Sequence, residues 1–536
     1  MEEINDSLLK KNMSYSIKDG LFSNVMTTIF AGVYLTGFAL ELGLSQYLIG
    51  LLASLPAVAN LAQIFGPVYI NKAGGEKRAC LISAGFYRVF WLLIAGVPLY
   101  LYLGLARELA IVLFFLFLLL ASLAAAFSNV SWMGWISAII PANLRGKFFG
   151  RRNMYAGFSA MAAGLLAGLW IDFWENLMPG RPLTGYSILF IITLCSGVIS
   201  WIILAKISSG VEPEAERADP STLFENLKVP LQDNNFRMLI IFSMAWAFAV
   251  GLASPFFSVY MIDTLELPFT LISLFGLAAA VTNIVGMKYW GQFVDRIGSK
   301  SLLYFSSMGA GLLPVVWIFT SAENYNLLWI INLLTGVFWS GIGLATSLLL
   351  MQLAKEKYRI AYYGLFAAGT GLAAAIAPII GGIIAGLTVD LNLTNNFIEL
   401  EGLHFLFILA VILRVLSLGL LAQVEVERQM TIQQILDQSR AVFHPFRSAQ
   451  QVAGLGFQSL ENVNLAVSKG LFQWESQLDI VFRKGRYLWY RAGKKANRFD
   501  QQLELIIDKA EETQGIMISR LFKLIDWLNR VGEEEE

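Results

Sequence analysis

Two cysteines and two histidines in 536 residues leave little material for disulfide or metal chemistry. Cys80 and Cys195 sit in or beside apolar segments, are too few for a disulfide framework and lack metal-ligand spacing. No metal and no cofactor is therefore expected, and no catalytic residues can be assigned, so the chain does not read as an enzyme. Charge is scarce as well: charged residues make up 15% of the chain, and the formal net charge is zero. A neutral balance of this kind says nothing about partners. The stretch from Leu109 to Ile140 contains no charged residue at all. With 56% hydrophobic residues and a mean hydropathy of +0.61, an ordinary soluble protein is excluded.

What is present is a series of apolar runs, each long enough to cross about 30 Å of hydrocarbon. Twelve are expected, the first near residues 21–41 and the last near 403–424. The first is too long for a signal-peptide core and lacks a small-residue cleavage pattern, so it reads as a retained helix that also directs insertion. Lys and Arg fall on one side of the series: three in Asn71 to Arg78, four in Asn143 to Arg152, four in Lys206 to Arg237, three in Lys288 to Lys300 and three in Lys355 to Arg359. The other side carries only Arg107 and Arg181. The positive-inside rule makes the basic side cytoplasmic, with both termini there too. The opposite loops carry acids, including Glu41, Asp172, Glu175, Asp263, Glu266, Asp390, Glu399 and Glu401, read as solvated or interfacial groups.

The chain also repeats itself. NKAGGEKR (Asn71 to Arg78) and GQFVDRIGSK (Gly291 to Lys300) each lie between two apolar runs, and Arg145 and Gly150 recur 214 positions later as Arg359 and Gly364. Two landmarks in the same order in both halves imply a repeat of about six spans, the organisation expected of a secondary transporter. The expected domains are an N-terminal six-helix bundle (1–206), a cytoplasmic linker (207–236), a C-terminal six-helix bundle (237–424) and a helical cytoplasmic extension (425–536).

GQFVDRIGSK resembles the loop signature of the major facilitator superfamily, G-x-x-x-D-R-x-G-x-K, with similarity over roughly residues 17–424. The resemblance implies an all-α polytopic membrane protein of twelve transmembrane helices in two pseudo-symmetric bundles, in a bacterial cytoplasmic (inner) membrane. It assigns Asp295 and Arg296 to a cytoplasmic gate, with Gly291 and Gly298 as packing and turn positions. A carboxylate beside a helix N-terminus and an arginine is a contact that can break and re-form. In the first-half copy Asn71 stands in place of the Asp and Pro67 in place of the leading Gly, while Lys72, Gly74, Lys77 and Arg78 still fit. Asn71 cannot form the ion pair, so this half of the gate is weaker or borrows Arg145, Arg151 or Arg152; Arg359 is the second-half counterpart of Arg145. Many proton-coupled members carry an Arg in the fourth helix, absent here. The fifth helix has a glycine run, GFSAMAAGLLAGLW, without the Pro common in drug–proton antiporters, and GLAAAIAPIIGG appears in the eleventh instead. Both departures argue against a standard multidrug antiporter.

The family's cavity is lined mainly by helices 1, 4, 7 and 10. On the tenth, Asn332, Thr335, Trp339, Gly343 and Thr346 follow helical steps. Asn24, Thr28 and Tyr34 in the first helix, Asn129, Trp132 and Trp135 in the fourth, and Trp246, Ser254 and Tyr260 in the seventh add amides, hydroxyls and indoles. Together they suit an uncharged or amphipathic organic molecule; the competing use is interhelical hydrogen bonding and interfacial anchoring. Charge within a span is costly and marks function by default. Arg88 and Arg414 read as snorkelling or forming structural pairs, and His404 lies near the outer end of the twelfth span. Asp19, facing Arg145 or Arg152, is the coupling candidate, with ion-independent transport or coupling through another group as the alternatives.

Beyond Glu425 the chain sets Leu471, Trp474, Leu478 and Val481 on one helical face, then concentrates Arg483, Lys484, Arg486, Arg491, Lys494, Lys495 and Arg498 around Tyr487, Trp489 and Tyr490. Such a segment suits anionic lipid rather than nucleic acid. Leu503, Ile507, Ala510, Gln514, Met517, Leu521, Leu524 and Leu528 form a heptad-like seam, for self-association, a protein partner or a hairpin. The expected function is alternating-access transport of a small organic solute. Export of amphipathic compounds or lipids is the alternative within transport, and a membrane scaffold or sensor the alternative outside it.

Overall fold

The computed structural model describes residues 2–104, 106–208, 228–322, 324–395 and 398–425. The greater part of the expected linker, and the expected extension beyond Glu425, lie outside these residues. Twelve helical segments are long and apolar enough to cross a bilayer. In chain order, spans 1 to 6 are Leu8–Glu41, Gln46–Ala73, Glu76–Tyr102, Arg107–Ile139, Asn143–Leu177 and Pro182–Ala205. Spans 7 to 12 are Asn234–Thr264, Phe269–Ile297, Ser299–Phe319, Leu327–Leu353, Ala361–Thr388 and Leu403–Ala422. Even the shortest, at 20 residues, reaches about 30 Å at 1.5 Å per residue.

Helix and hydropathy boundaries part company at the first span. Its helix already begins at Glu2, well before the apolar run near residue 21, and buries Asn12, Ser16 and Asp19. Asp19 finds partners on spans 5 and 6 and Asn12 pairs with Ser208 just beyond span 6, contacts that a hydropathy window discounts. The helix breaks between Ile29 and Gly32 and resumes as Gly32–Glu41. Span 7 closes with a π turn, Tyr260–Thr264. Between spans 11 and 12 a two-stranded hairpin, β1 (Asn392–Asn395) and β2 (Ile398–Glu401), pairs Asn392 with Glu401; it is a small addition to the expected all-α architecture.

Span neighbours repeat with a shift of six. Span 1 packs on 5 and 6, span 3 on 4 and 6, and span 2 on 4; span 7 packs on 11 and 12, span 9 on 10 and 12, and span 8 on 10. Two main seams join the halves, spans 2 with 11 and spans 5 with 8, and the same repeat relates them; the Gly32–Glu41 segment of span 1 also packs on span 7. The first half is cored by Phe30 stacked on Trp91 at 3.7 Å with Phe190 edge-on. In the second, Phe236, Phe242, Trp246 and Tyr362 are buried among leucines.

The signature loop makes a one-residue turn. Span 8 ends at Ile297 and span 9 begins at Ser299, and Gly298 between them takes φ +84°, a conformation that side chains with a Cβ rarely adopt. Lys300 then donates to the carbonyls of Ala422 (3.0 Å) and Val424, tying the start of span 9 to the C-terminal end of span 12.

Candidate functional site

The two ends of the molecule differ. At the end carrying the acidic loops, the halves are locked together by backbone and side-chain contacts. Asp172 near the end of span 5 accepts from the backbone amides of Phe269 (2.7 Å) and Thr270 (2.8 Å), capping span 8 of the other half. The fit is physical: the first amides of a helix lack intrahelical partners, and the helix dipole favours a carboxylate there. One turn inward, Tyr34 Oη contacts the Gly164 carbonyl and lies 2.7 Å from Ser273 Oγ, joining spans 1, 5 and 8. In the other seam a Cβ on Gly382 would sit 3.0 Å from the Cα of Gly50, so two helix backbones touch where only hydrogen fits.

Toward the basic loops these contacts end. Glycines recur on one face of span 5 at positions 150, 157, 164 and 168. A Cβ on Gly168 would meet Phe269 O at 2.7 Å, and one on Gly164 would reach Thr28 Cγ2 at 3.8 Å. At Gly157 and Gly150 it would meet nothing within 4 Å. Along this face span 5 meets span 8 at Gly168, while Gly157 and Gly150 face open space toward the basic end.

The expected gate residues on the basic loops are unjoined. Asp295, Arg296, Asn71, Lys72, Arg145 and Arg359 are all exposed, and among the described residues no ion pair links them. Gly291 has open space around it. Arg145 turns back on the preceding helix end, donating to Ser137 O (2.7 Å) and Ile140 O (3.0 Å), because the last carbonyls of span 4 lack partners.

Midway through the membrane, the break in span 1 exposes Thr27, Ala31 and Gly32. Gly32 has φ +60° with nothing within 4 Å of a Cβ, and no side chain caps the helix it begins. Irregular backbone at this depth is tolerated only inside protein or beside a water-filled cavity. On span 10, Asn332 and Thr335 are half-buried, Trp339 is 37% exposed and Gly343 is exposed, while Gly336 and Gly341 of the same helix press on spans 8 and 9. Asn129 is exposed on span 4. Asn24 Nδ2 donates to Gly20 O and Thr28 Oγ1 to Asn24 O, both within span 1.

Four expected cavity residues, Tyr34, Trp135, Trp246 and Tyr260, are buried in helix packing, which corrects the sequence reading; Tyr260 donates to Thr320 O at 2.9 Å. Tyr34, 2% exposed, belongs to the closed seam. Trp135 is buried and donates from Nε1 to Ser208 O at 3.0 Å. Trp246 is buried inside the second half against the Gly311 backbone. Helical spacing identifies a shared face but not whether that face meets the cavity or a neighbouring helix. Trp132 lies between these cases, half-buried beneath the Arg152 guanidinium at 4.2 Å.

Asp19 is 3% exposed and surrounded by partners. Its Oδ1 accepts from Ser200 Oγ at 2.7 Å, and its Oδ2 lies 3.6 Å from Arg152 Nη2. Ser200 Oγ is also 3.2 Å from Arg88 Nη2, while Arg88 donates to Gly197 O and Ala84 O at 2.6 Å each. One carboxylate and two guanidiniums thus link spans 1, 3, 5 and 6. Of the two arginines the sequence offered to Asp19, only Arg152 reaches it. Among the described residues no group of three or more His, Cys, Asp or Glu side chains is placed to hold a metal.

Sequence reading missed Asp172 as an inter-half contact and missed the break at Gly32. A proline–phenylalanine helix start at Pro268 with no acidic residue in its first turn was the available signal for the first, since such an end needs an external acceptor. Nothing in the local pattern FAGVY distinguishes a broken helix from a continuous one.

The sequence profile described as Major Facilitator Superfamily matches residues 20–356 and 252–449. Multidrug resistance protein MdtG of Proteus mirabilis (strain HI4320) is 32% identical over 115 residues, a match spanning 21% of this chain and 28% of that relative. A variant of the nucleoside transporter NupG superposes with TM-score 0.60 at 13% identity, covering 78% of this chain and 99% of its own. A bacterial homologue of the iron transporter ferroportin gives 0.57 at 15%, covering 78% and 98%. The xylose transporter XylE from E. coli gives 0.53 at 14%, covering 81% and 99%. With twelve spans in two repeated halves and a profile matching across them, the chain belongs to the Major Facilitator Superfamily and is a multi-pass membrane protein.

Proposed function

We propose that this protein carries a small uncharged or amphipathic organic solute across a bacterial inner membrane by alternating access. The basic loops face the cytoplasm in this reading, so the structure is the inward-open state. The observation that carries it is the combination of a seam closed at one end by Asp172, Tyr34 and the Gly50–Gly382 approach with a face open to the other. At its inner limit lie the span 1 break, Asn129 and Trp339, which supply backbone groups, an amide and an indole but no charge. Nucleosides and xylose, the solutes named for two structural neighbours, are likewise uncharged.

In the other conformation Asp295 and Arg296 pair across the basic end and the Asp172 cap is released. Asp19 couples this exchange to protons: protonation removes the carboxylate that holds Arg152, freeing span 5 from span 1. Export of amphipathic compounds is the second reading, favoured by the 115-residue likeness to a multidrug resistance protein.

The test is thermal stability of the purified full chain against nucleosides, sugars and amphipathic drugs, followed by flux in proteoliposomes. A ligand that binds only the folded state raises stability. Stabilisation by one uncharged class, weakened about tenfold by Trp339→Ala or Asn129→Ala (roughly 1.4 kcal/mol), supports the first reading. Stabilisation by amphipathic drugs alone supports the second. A shift that both substitutions leave intact refutes this cavity.

A further inference from the structure

Arg414 lies near the middle of span 12, eleven residues from one end and eight from the other, and is 5% exposed. Its Nη1 donates to Ala310 O at 3.3 Å, while its Nε has no partner. Among the described residues no carboxylate pairs with it. Arg88, the buried arginine of the first half, is different: it makes three hydrogen bonds and shares Ser200 with Asp19. Several buried polar groups on the neighbouring spans are also without partners. A Cβ on Gly311 would touch Arg414 Cβ at 3.5 Å and the Trp246 ring at 3.8 Å, so spans 7, 9 and 12 converge here. The Trp246 indole N–H has no partner. Ser243 stands one turn before Trp246 and Ser307 one turn before Gly311, each on the same helical face, and both hydroxyls are buried without partners.

The chemistry of this cluster is one-sided. A guanidinium and an indole can only donate, and the two hydroxyls can donate as well. A buried cation without a counter-charge is expensive in the membrane interior. Water would satisfy hydrogen bonds but not the charge, and a cation would add to it. We propose that the second half holds a small monovalent inorganic anion, of the chloride type, between spans 7, 9 and 12, with Arg414 as its counter-charge and Trp246, Ser243 and Ser307 as further donors. The site lies within one half, separate from the solute path, and does not depend on the identity of the solute.

The experiment measures thermal stability of the purified full chain in a series of sodium chloride or bromide concentrations, with sodium gluconate holding ionic strength constant. Stability rises with halide along a saturable curve and stays flat in gluconate. Arg414→Met removes the charge with an apolar side chain of similar length, so the halide dependence disappears. Ser243→Ala and Ser307→Ala keep the arginine and move the halide midpoint several-fold upward; they decide the matter if Arg414→Met fails to fold. Equal stability in chloride and gluconate, a halide dependence that survives Arg414→Met, or an unmoved midpoint in both serine variants overturns the site.

Discussion

At the scale of single residues, two aspartates hold this conformation for different reasons. Asp172 bridges the halves through two amides that have no other acceptor. Asp172→Asn keeps the shape and removes the charge, a loss of about 1–3 kcal/mol for a charge-assisted pair. The equilibrium should move about tenfold or more toward the state open at the acidic end, which labelling of a cysteine at Ala31 by an impermeant reagent from outside would report. Unchanged labelling would remove Asp172 from the gate. Asp19 was legible in the sequence, because a carboxylate beside an apolar run is conspicuous. Asp172 was not, since a loop acid that caps a distant helix looks the same as one facing water. For Asp19→Asn the expected outcome is flux that no longer responds to a pH gradient while solute exchange persists. Retained pH-driven accumulation would assign coupling elsewhere.

At the scale of elements, the twelve spans were readable from hydropathy, and the turn at Gly298 from the resemblance of GQFVDRIGSK to the family's loop signature. The break in span 1 was not, because a single glycine in an apolar run is compatible with a continuous helix and no proline marks the interruption. Gly32→Ala sets a Cβ at φ +60°, which costs about 1–2 kcal/mol. Solute binding should fall while spans and assembly remain, and circular dichroism together with binding would separate the two. Equal affinity in the variant would mean that the break does not contact solute. The long C-terminal extension read from sequence lies outside the described residues, and its proposed role on lipid or in self-association rests on the sequence pattern alone.

At the scale of the whole molecule, the repeat reaches deeper than its loop signatures. Asp19 and Asp233 are 214 residues apart, the same offset as Arg145 and Arg359. Asp19 pairs with Arg152 of span 5, and Asp233 accepts from Tyr362 Oη of span 11 at 2.9 Å while capping span 7. Each half thus ties its first span to its fifth with an aspartate, but only the first half uses an ion pair. In the proposed inward-open reading the expected gate residues stand apart because their pairing belongs to the other conformation. The most direct test of alternation between the two conformations is a pair of spin–spin distances, one between labels at Gly150→Cys and Gly291→Cys, the other between labels at Glu175→Cys and Thr264→Cys. In the otherwise native chain the first should be long and the second short. With Asp172→Asn added, a new population should appear in which the first shortens as the second lengthens. Distances that stay fixed, or that change at one end alone, would contradict alternating access about this seam.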